Sequence, residues 1–225
     1  MKQEPTGFKC QRFLAPDRIG KESEWIPLVA GKTTNGVELV GAAVIRYHGE
    51  RKGAAVLSAL WPPHGGASGT NNEENQARFT ARGLGIAFAE GVEAYFAYNL
   101  RAFEDDPFYS EHHFGLMHAD FTPKPAYSAY MQFTRKRPEG SVQLPGAWHD
   151  EARQFFFPQW RRPDGRTAGM LWRLGREVRN LKFKGRPEFY NLYGMKLAVR
   201  QVDGENYAVP VSPSPVYFTG AELQR

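Results

Sequence analysis

The sequence predicts an α/β segment followed by an all-β segment, and two changes of period carry that expectation. Between Thr70 and Thr134 apolar residues recur every three or four positions on either side of one aromatic run; beyond Glu139 they recur every two, between turn signals. A chain of 225 residues that is 41% hydrophobic and 14% aromatic can fill a core, and its length suits one large domain or two smaller ones.

The first helix begins at Thr70-Asn71-Asn72, whose side-chain oxygens can cap it, with Glu73-Glu74 placing negative charge in the first turn. Ala77, Ala81, Leu84 and Phe88 then share one face, and the helix closes near Glu90-Gly91. Residues 92–98 are expected as an aromatic strand, followed by an acidic and aromatic loop over 99–113. After Phe114-Gly115-Leu116 and a turn at Asp120, Thr122-Pro123-Lys124-Pro125 opens a second helix carrying Tyr127, Tyr130, Met131 and Phe133. Helix, strand, loop, helix is the grammar of βα units.

Arg137-Pro138-Glu139-Gly140-Ser141 reads as a linker. Beyond it, Pro163-Asp164-Gly165-Arg166 and Asp203-Gly204 are hairpin turns between short apolar runs, and Val216-Tyr217-Phe218 closes the series. Strands at that spacing predict a small antiparallel β-sandwich. Before Thr70 only residues 25–29, 37–45 and 56–61 read as strands, joined by Gly- and Pro-rich connections.

Composition narrows the function classes. The lone Cys10 excludes an intrachain disulfide and a multi-cysteine metal site. The formal charge of +5 is spread thinly, with Arg135-Lys136-Arg137 and Arg161-Arg162 the densest groups, so a solvated basic surface is expected and nucleic acid is not. No apolar run approaches the ~20 residues of a membrane span. The opening MKQEPTGFKCQ lacks the apolar core of a secretory signal, so neither a membrane nor an export address is expected. Gly83-Leu84-Gly85 lies inside a helical pattern, which contradicts a phosphate loop. No cofactor and no metal are expected.

The stretch from Asn72 to Tyr130 resembles the end of the barrel in retaining (β/α)8 glycoside hydrolases that carry a C-terminal β-sandwich, family 39 and its relatives. The resemblance rests on Gln76-Ala77-Arg78, the strand at 92–98, Phe114-Gly115-Leu116 and Pro123-Lys124-Pro125-Ala126-Tyr127. In the tail it rests on Pro163-Asp164-Gly165-Arg166, Leu171-Trp172 and Ser214-Pro215-Val216-Tyr217-Phe218-Thr219-Gly220. It implies an α/β plus all-β chain: residues 1–69 with remnant barrel strands, 70–138 as the last βα units of a partial (β/α)8 barrel, and 139–225 as a small antiparallel β-sandwich. It also implies a carbohydrate partner and, in intact relatives, hydrolysis of O-glycosyl bonds through a covalent glycosyl-enzyme intermediate.

The carboxylate pair of such an enzyme is not found. Retaining hydrolysis needs two carboxyl groups ~5–5.5 Å apart. The Asn-Glu-Pro that typically holds the acid/base is missing from this sequence. Where the resemblance would place the nucleophile, in Thr-Glu-x-Gly, stands Ser58-Ala59. Residues 1–138 are also too few for a whole barrel, which needs about 250. The sequence therefore reads as a C-terminal portion that is inactive alone, with a non-catalytic carbohydrate-binding or interaction module as the alternative.

Candidate residues follow. Glu104, Asp105 and Asp106 form the densest acidic run, on the loop that would rim a barrel's active site. They can act as acid and base or hold a cation, but a solvated acidic loop is the favoured alternative because no apolar surroundings are legible. Glu111-His112-His113 is set aside as a metal site, since adjacent residues on an extended segment point to opposite sides. His48 matches, through the resemblance, a substrate-contacting His at the end of strand six. Tyr98, Asn99 and Phe103 fall at the C-terminal end of the expected eighth strand, where rings stack on sugar faces, with plain core packing as the other reading. Trp148, Trp160 and Trp172 could form a second platform; Trp172 reads as core and Trp160, beside Arg161-Arg162, as the surface candidate. An aromatic strand lacking its barrel neighbours is also expected to drive self-association.

Restoring a carboxylate by Ala59→Glu is predicted to give no glycosidase activity. A lone nucleophile lacks the acid that protonates the leaving oxygen, a contribution of about 10²–10⁴-fold. Assay of parent and variant on aryl glycosides checks this, and turnover gained by the variant would contradict it.

Overall fold

The computed structural model describes the backbone of residues 23–32, 38–47 and 53–58, and describes residues 72–92, 94–104, 113–150 and 152–224. The chain divides into two compact units, residues 1–76 with 90–122, and residues 77–89 with 123–225.

In the first unit, β1 (Ser23–Lys32), β2 (Glu38–Tyr47) and β3 (Gly53–Ser58) form a three-stranded sheet in chain order. The run expected at 25–29 lies within β1, residues 38–45 of the second run lie in β2, and residues 56–58 of the third lie in β3. Residues 37 and 59–61 are outside the described residues. The pairing is antiparallel, Ile45 opposite both Trp25 and Ala55. Consecutive barrel strands would be parallel. Connections of five residues each are too short for the crossover that parallel neighbours require, so the chain turns back on itself.

Helix α1 (Glu73–Ala89) starts as its residue types dictate: Asn72 Oδ1 accepts the Asn75 N–H at 2.9 Å, and Glu73 and Glu74 occupy the first turn. Its first turn belongs to the first unit and the remainder to the second. Ala77, Ala81, Leu84 and Ala87 are buried as one stripe. A Cβ on Gly85 would meet Met170 Sδ at 2.6 Å, so the helix approaches the sheet closely only because that position has no side chain. Helix α2 (Pro125–Lys136) begins on Pro125, whose missing N–H costs nothing there. Its buried face is Ala126, Ala129, Gln132 and Phe133, while Tyr127, Tyr130 and Met131 are only partly covered. Small residues set the approach, and Phe133 fills the gap, stacked on Phe88 at 5.7 Å and against Trp160 at 5.9 Å.

The rest of the second unit is a ten-stranded antiparallel sheet: β4 (Val142–Gln143), β5 (His149–Asp150), β6 (Phe155–Phe156), β7 (Gln159–Arg161), β8 (Thr167–Arg173), β9 (Glu177–Tyr190), β10 (Lys196–Leu197), β11 (Arg200–Asp203), β12 (Asn206–Val211) and β13 (Val216–Leu223). Its main path runs β11-β12-β9-β13-β8-β6-β5; β7 joins β8 beside β6, and β4 and β10 are added on β7 and β9. Both predicted hairpins form, with Arg161 opposite Thr167 across Asp164-Gly165 and Asp203 opposite Asn206 across Gly204. The antiparallel strands expected beyond residue 139 form, and they are hydrogen-bonded into one connected sheet. Gly185 (φ 110°) and Gly220 (φ 84°) sit where the β9–β13 register shifts between Thr219 and Ala221, a bulge at which β-carbons would crowd the opposite strand.

One face of this sheet encloses a core of Phe155, Phe157, Leu171, Phe183, Phe189, Tyr207, Val209, Val216 and Phe218. Gln159, itself buried, ties β7 to the end of β13: its Nε2 donates to Leu223 O at 3.2 Å and its Oε1 accepts the Leu223 N–H at 2.7 Å. No helix among the described residues is long and apolar enough to cross a membrane.

Gln159→Leu leaves the Leu223 N–H and C=O without their buried partner, and is predicted to lower unfolding free energy by about 1–3 kcal/mol. Val178→Ala, at an exposed position on β9, should cost less than about 0.5 kcal/mol. Urea unfolding of both variants measures the difference.

Candidate functional site

The candidate site is the segment 94–122 of the first unit, held from below by the start of α1. Gln76 is buried, and its Nε2 lies 3.4, 3.1 and 3.2 Å from the carbonyl oxygens of His113, Phe114 and Gly115. Two amide protons shared among three carbonyls fix the turn that follows the acidic loop. From there Leu116 N–H donates to Asn99 O, Met117 N–H to Leu100 O and Ala102 N–H to Met117 O, at 2.9–3.0 Å, a short parallel pairing centred on Arg101 and Met117. Gly115 makes it feasible, since a Cβ there would lie 2.2 Å from Ala102 N.

The strand expected at 92–98 does not form among the described residues; extended pairing begins at Asn99 and takes 116–117 as partner. The consequence is an exposed aromatic row. Phe96 is 91% exposed, Tyr98 64%, Phe103 58% and Phe121 61%, with Leu100 alongside. Tyr98 meets Phe114 edge-on at 6.2 Å, and the Arg101 guanidinium lies 4.7 Å from the Phe121 ring centre. Phe121 holds φ 67° within a turn clasped by His118 and Asp120. His118 N–H donates to Thr122 O, and both the hydroxyl and the N–H of Thr122 donate to Asp120 Oδ1. Those bonds hold the Asp120 carboxyl below the usual carboxylate range, the side-chain bond contributing most. His118 Nε2 lies 3.2 Å from Glu73 Oε1. In the middle of the row, both side-chain polar atoms of Asn99 are shielded from solvent and have no hydrogen-bond partner.

The structure therefore gathers Tyr98, Asn99 and Phe103 on one segment, with Glu104 exposed beside them. His48, Ala59, Asp105, Asp106, Glu111 and His112 lie outside the described residues, and no group of three metal-ligating side chains occurs among the described ones. Trp160 is corrected: it is 1% exposed, packed on Phe133, with its indole N–H donating to Lys136 O at 2.9 Å. The Arg161-Arg162 beside it suggested a surface, but β7 buries both Gln159 and Trp160 and exposes only Arg161. Trp148 and Trp172 are also buried, Trp172 stacked on Phe156 at 4.9 Å, so the three tryptophans form no platform. An open cleft of about 440 Å³ in the second unit is lined by Leu144, Gln159, Arg161, Glu222 and Gln224, none of them a predicted site residue. Phe96, Leu100, Arg101 and Phe121 were absent from the sequence expectation. The signal available for them was the unusual density of aromatics between Tyr95 and Phe121.

These elements make a glycoside-hydrolase-like fold. A solved structure of a family 39 glycoside hydrolase from the gut symbiont Bacteroides cellulosilyticus WH2 is similar at TM-score 0.57 and 22% identity, over 67% of this chain and 31% of that one. The catalytic domain of GH30 xylanase C from Talaromyces cellulolyticus is similar at TM-score 0.43 and 10% identity, over 66% of this chain and 35% of that one. This chain thus spans about a third of the length of either. No protein-family model and no curated protein matches it.

Gln76→Leu removes the tether while keeping the helix. Hydrogen exchange at the Leu116 and Met117 amides is expected to accelerate by about five- to a hundredfold, matching a local loss of about 1–3 kcal/mol, with α2 amides unchanged.

Proposed function

We propose that this chain is a glycoside-hydrolase-related protein that binds carbohydrate through the aromatic row of segment 96–103 and does not turn it over by itself. The observation that carries this is the exposure of Tyr98 and Phe103 on one short segment, rings that suit the C–H face of a pyranose. Exposed aromatic walls with a few polar groups among them are the usual make-up of a ligand site. Absence of turnover is supported by the sequence, which carries neither of the two expected carboxylate motifs and has Ala59 where the resemblance would place the nucleophile.

The similarity to a family 39 enzyme supports the ligand class, and the fold alone does not name the sugar or the linkage. The same exposed rings favour association of two copies at high concentration.

Tyr98→Ala and Phe103→Ala are each expected to weaken binding of a matching oligosaccharide by about 0.5–1.5 kcal/mol, read by calorimetry after screening a glycan array. The parent should leave aryl glycosides intact. Parent turnover that disappears in Glu104→Gln would refute the non-hydrolytic reading, and full-strength binding in Tyr98→Ala/Phe103→Ala would refute the site.

A further inference from the structure

The two densest basic groups of the sequence, 25 residues apart, converge in the second unit. Lys136, in the last turn of α2, sits with its Nζ 3.0 Å from the centre of the Tyr190 ring, and the backbone carbonyl of the same residue accepts the Trp160 indole N–H from β7. Arg162 and Arg166, at the turn between β7 and β8 whose Trp160 bonds Lys136 O, lie near enough for their charges to act on the Lys136 ammonium, and Lys196 arrives as the cross-strand partner of Tyr190.

The carboxylates present are already engaged. Asp164 holds Arg166 at 2.9 Å and Arg162 at 3.5 Å, and Glu188 holds Lys196 at 2.6 Å and the Tyr190 hydroxyl at 2.9 Å. Lys136 has no carboxylate within ion-pair distance among the described residues. The Nε of Arg162 is shielded from water and has no acceptor. Four cations against two carboxylates leave an excess of two positive charges in one cluster. Burial and the Arg162 charge push the Lys136 ammonium down to about 8, with Glu188 opposing and Arg166 adding to the fall. A basic last turn normally answers the negative end of its own helix. Here the Lys136 carbonyl is satisfied by Trp160 and the ammonium has turned onto Tyr190, so the helix does not account for the cluster.

We propose that the end of α2 and the β7–β8 hairpin form a binding site for a phosphate monoester dianion, held by Lys136, Arg162 and Arg166. An excess of two charges fits a group carrying about −1.5 to −2 better than a singly charged carboxylate or sulfate ester. Guanidiniums supply the paired donors that its oxygens accept, and the ammonium supplies a third direction. The site is independent of the aromatic segment, and its fate does not bear on the carbohydrate reading.

The test is NMR of the full chain with isotope-labelled dimethyl-lysines, titrated with inorganic phosphate at constant ionic strength; Lys136→Gln identifies the resonance. A saturable shift of the Lys136 signal is expected at millimolar phosphate, with its titration midpoint moving up, because a bound dianion favours the charged ammonium. Phosphoserine should reproduce it and acetate should not. Arg166→Gln, in an exposed turn, is expected to weaken binding about tenfold, equivalent to ~1.4 kcal/mol, and Arg162→Gln at least as much, whereas Arg200→Gln on β11 leaves it unchanged. A shift that chloride matches, no saturation, undiminished binding in both arginine variants, or a response to single-stranded DNA but to neither phosphate nor phosphoserine would each overturn the proposal.

Discussion

Strand β8 is buried on both faces from Thr167 to Trp172, and most of the second unit follows from that constraint. A strand with apolar side chains on both sides needs a layer above and a layer below. Leu171 goes to the aromatic core shared with Phe183 and Phe218, while Met170 meets Gly85 of α1 on the other side. Gly169 lets Phe218 lie directly against the backbone, since a Cβ there would sit 2.4 Å from the ring. The helices are therefore as much a part of this unit's core as the strands are. Trp160, bonded to the Lys136 carbonyl of α2 and packed at a tilt against Phe133, joins the two layers.

In the first unit the equivalent constraint is satisfaction of backbone groups. Three consecutive carbonyls at 113–115 converge on one buried side-chain amide, that of Gln76. Once that turn is set, the short pairing of 99–102 with 116–117 follows, and the aromatics that precede it are left facing solvent. The exposed row thus results from where pairing begins.

Much of the fold was legible. Both helices were placed to within a few residues, because capping residues, proline at a helix start and a three-to-four-residue apolar period act over one or two turns. Both hairpins were read from Asp164-Gly165 and Asp203-Gly204, since such turns demand particular residues. The longest strand, β9, was not read at all. Its sequence, EVRNLKFKGRPEFY, is mostly charged and polar, and its alternation becomes visible only when Phe183 and Phe189 are seen facing the core. At the site, Tyr98, Asn99 and Phe103 were legible as residue types at the end of an aromatic run. Their shared exposure and the unpartnered amide were not.

What the sequence by itself determined is local: helix limits, turn chemistry, the change of period near residue 139, and the missing carboxylate motifs. Each depends on residues a few positions apart, where backbone geometry couples them directly. Only the tertiary structure decided which strands pair, that the first three run antiparallel, that Trp160 faces inward, and that Lys136 lies over the Tyr190 ring within reach of the Arg162 and Arg166 charges. Those outcomes depend on burial and on charges brought together from distant positions. A side chain's surroundings are a property of the packed chain, and neighbouring letters carry no record of them.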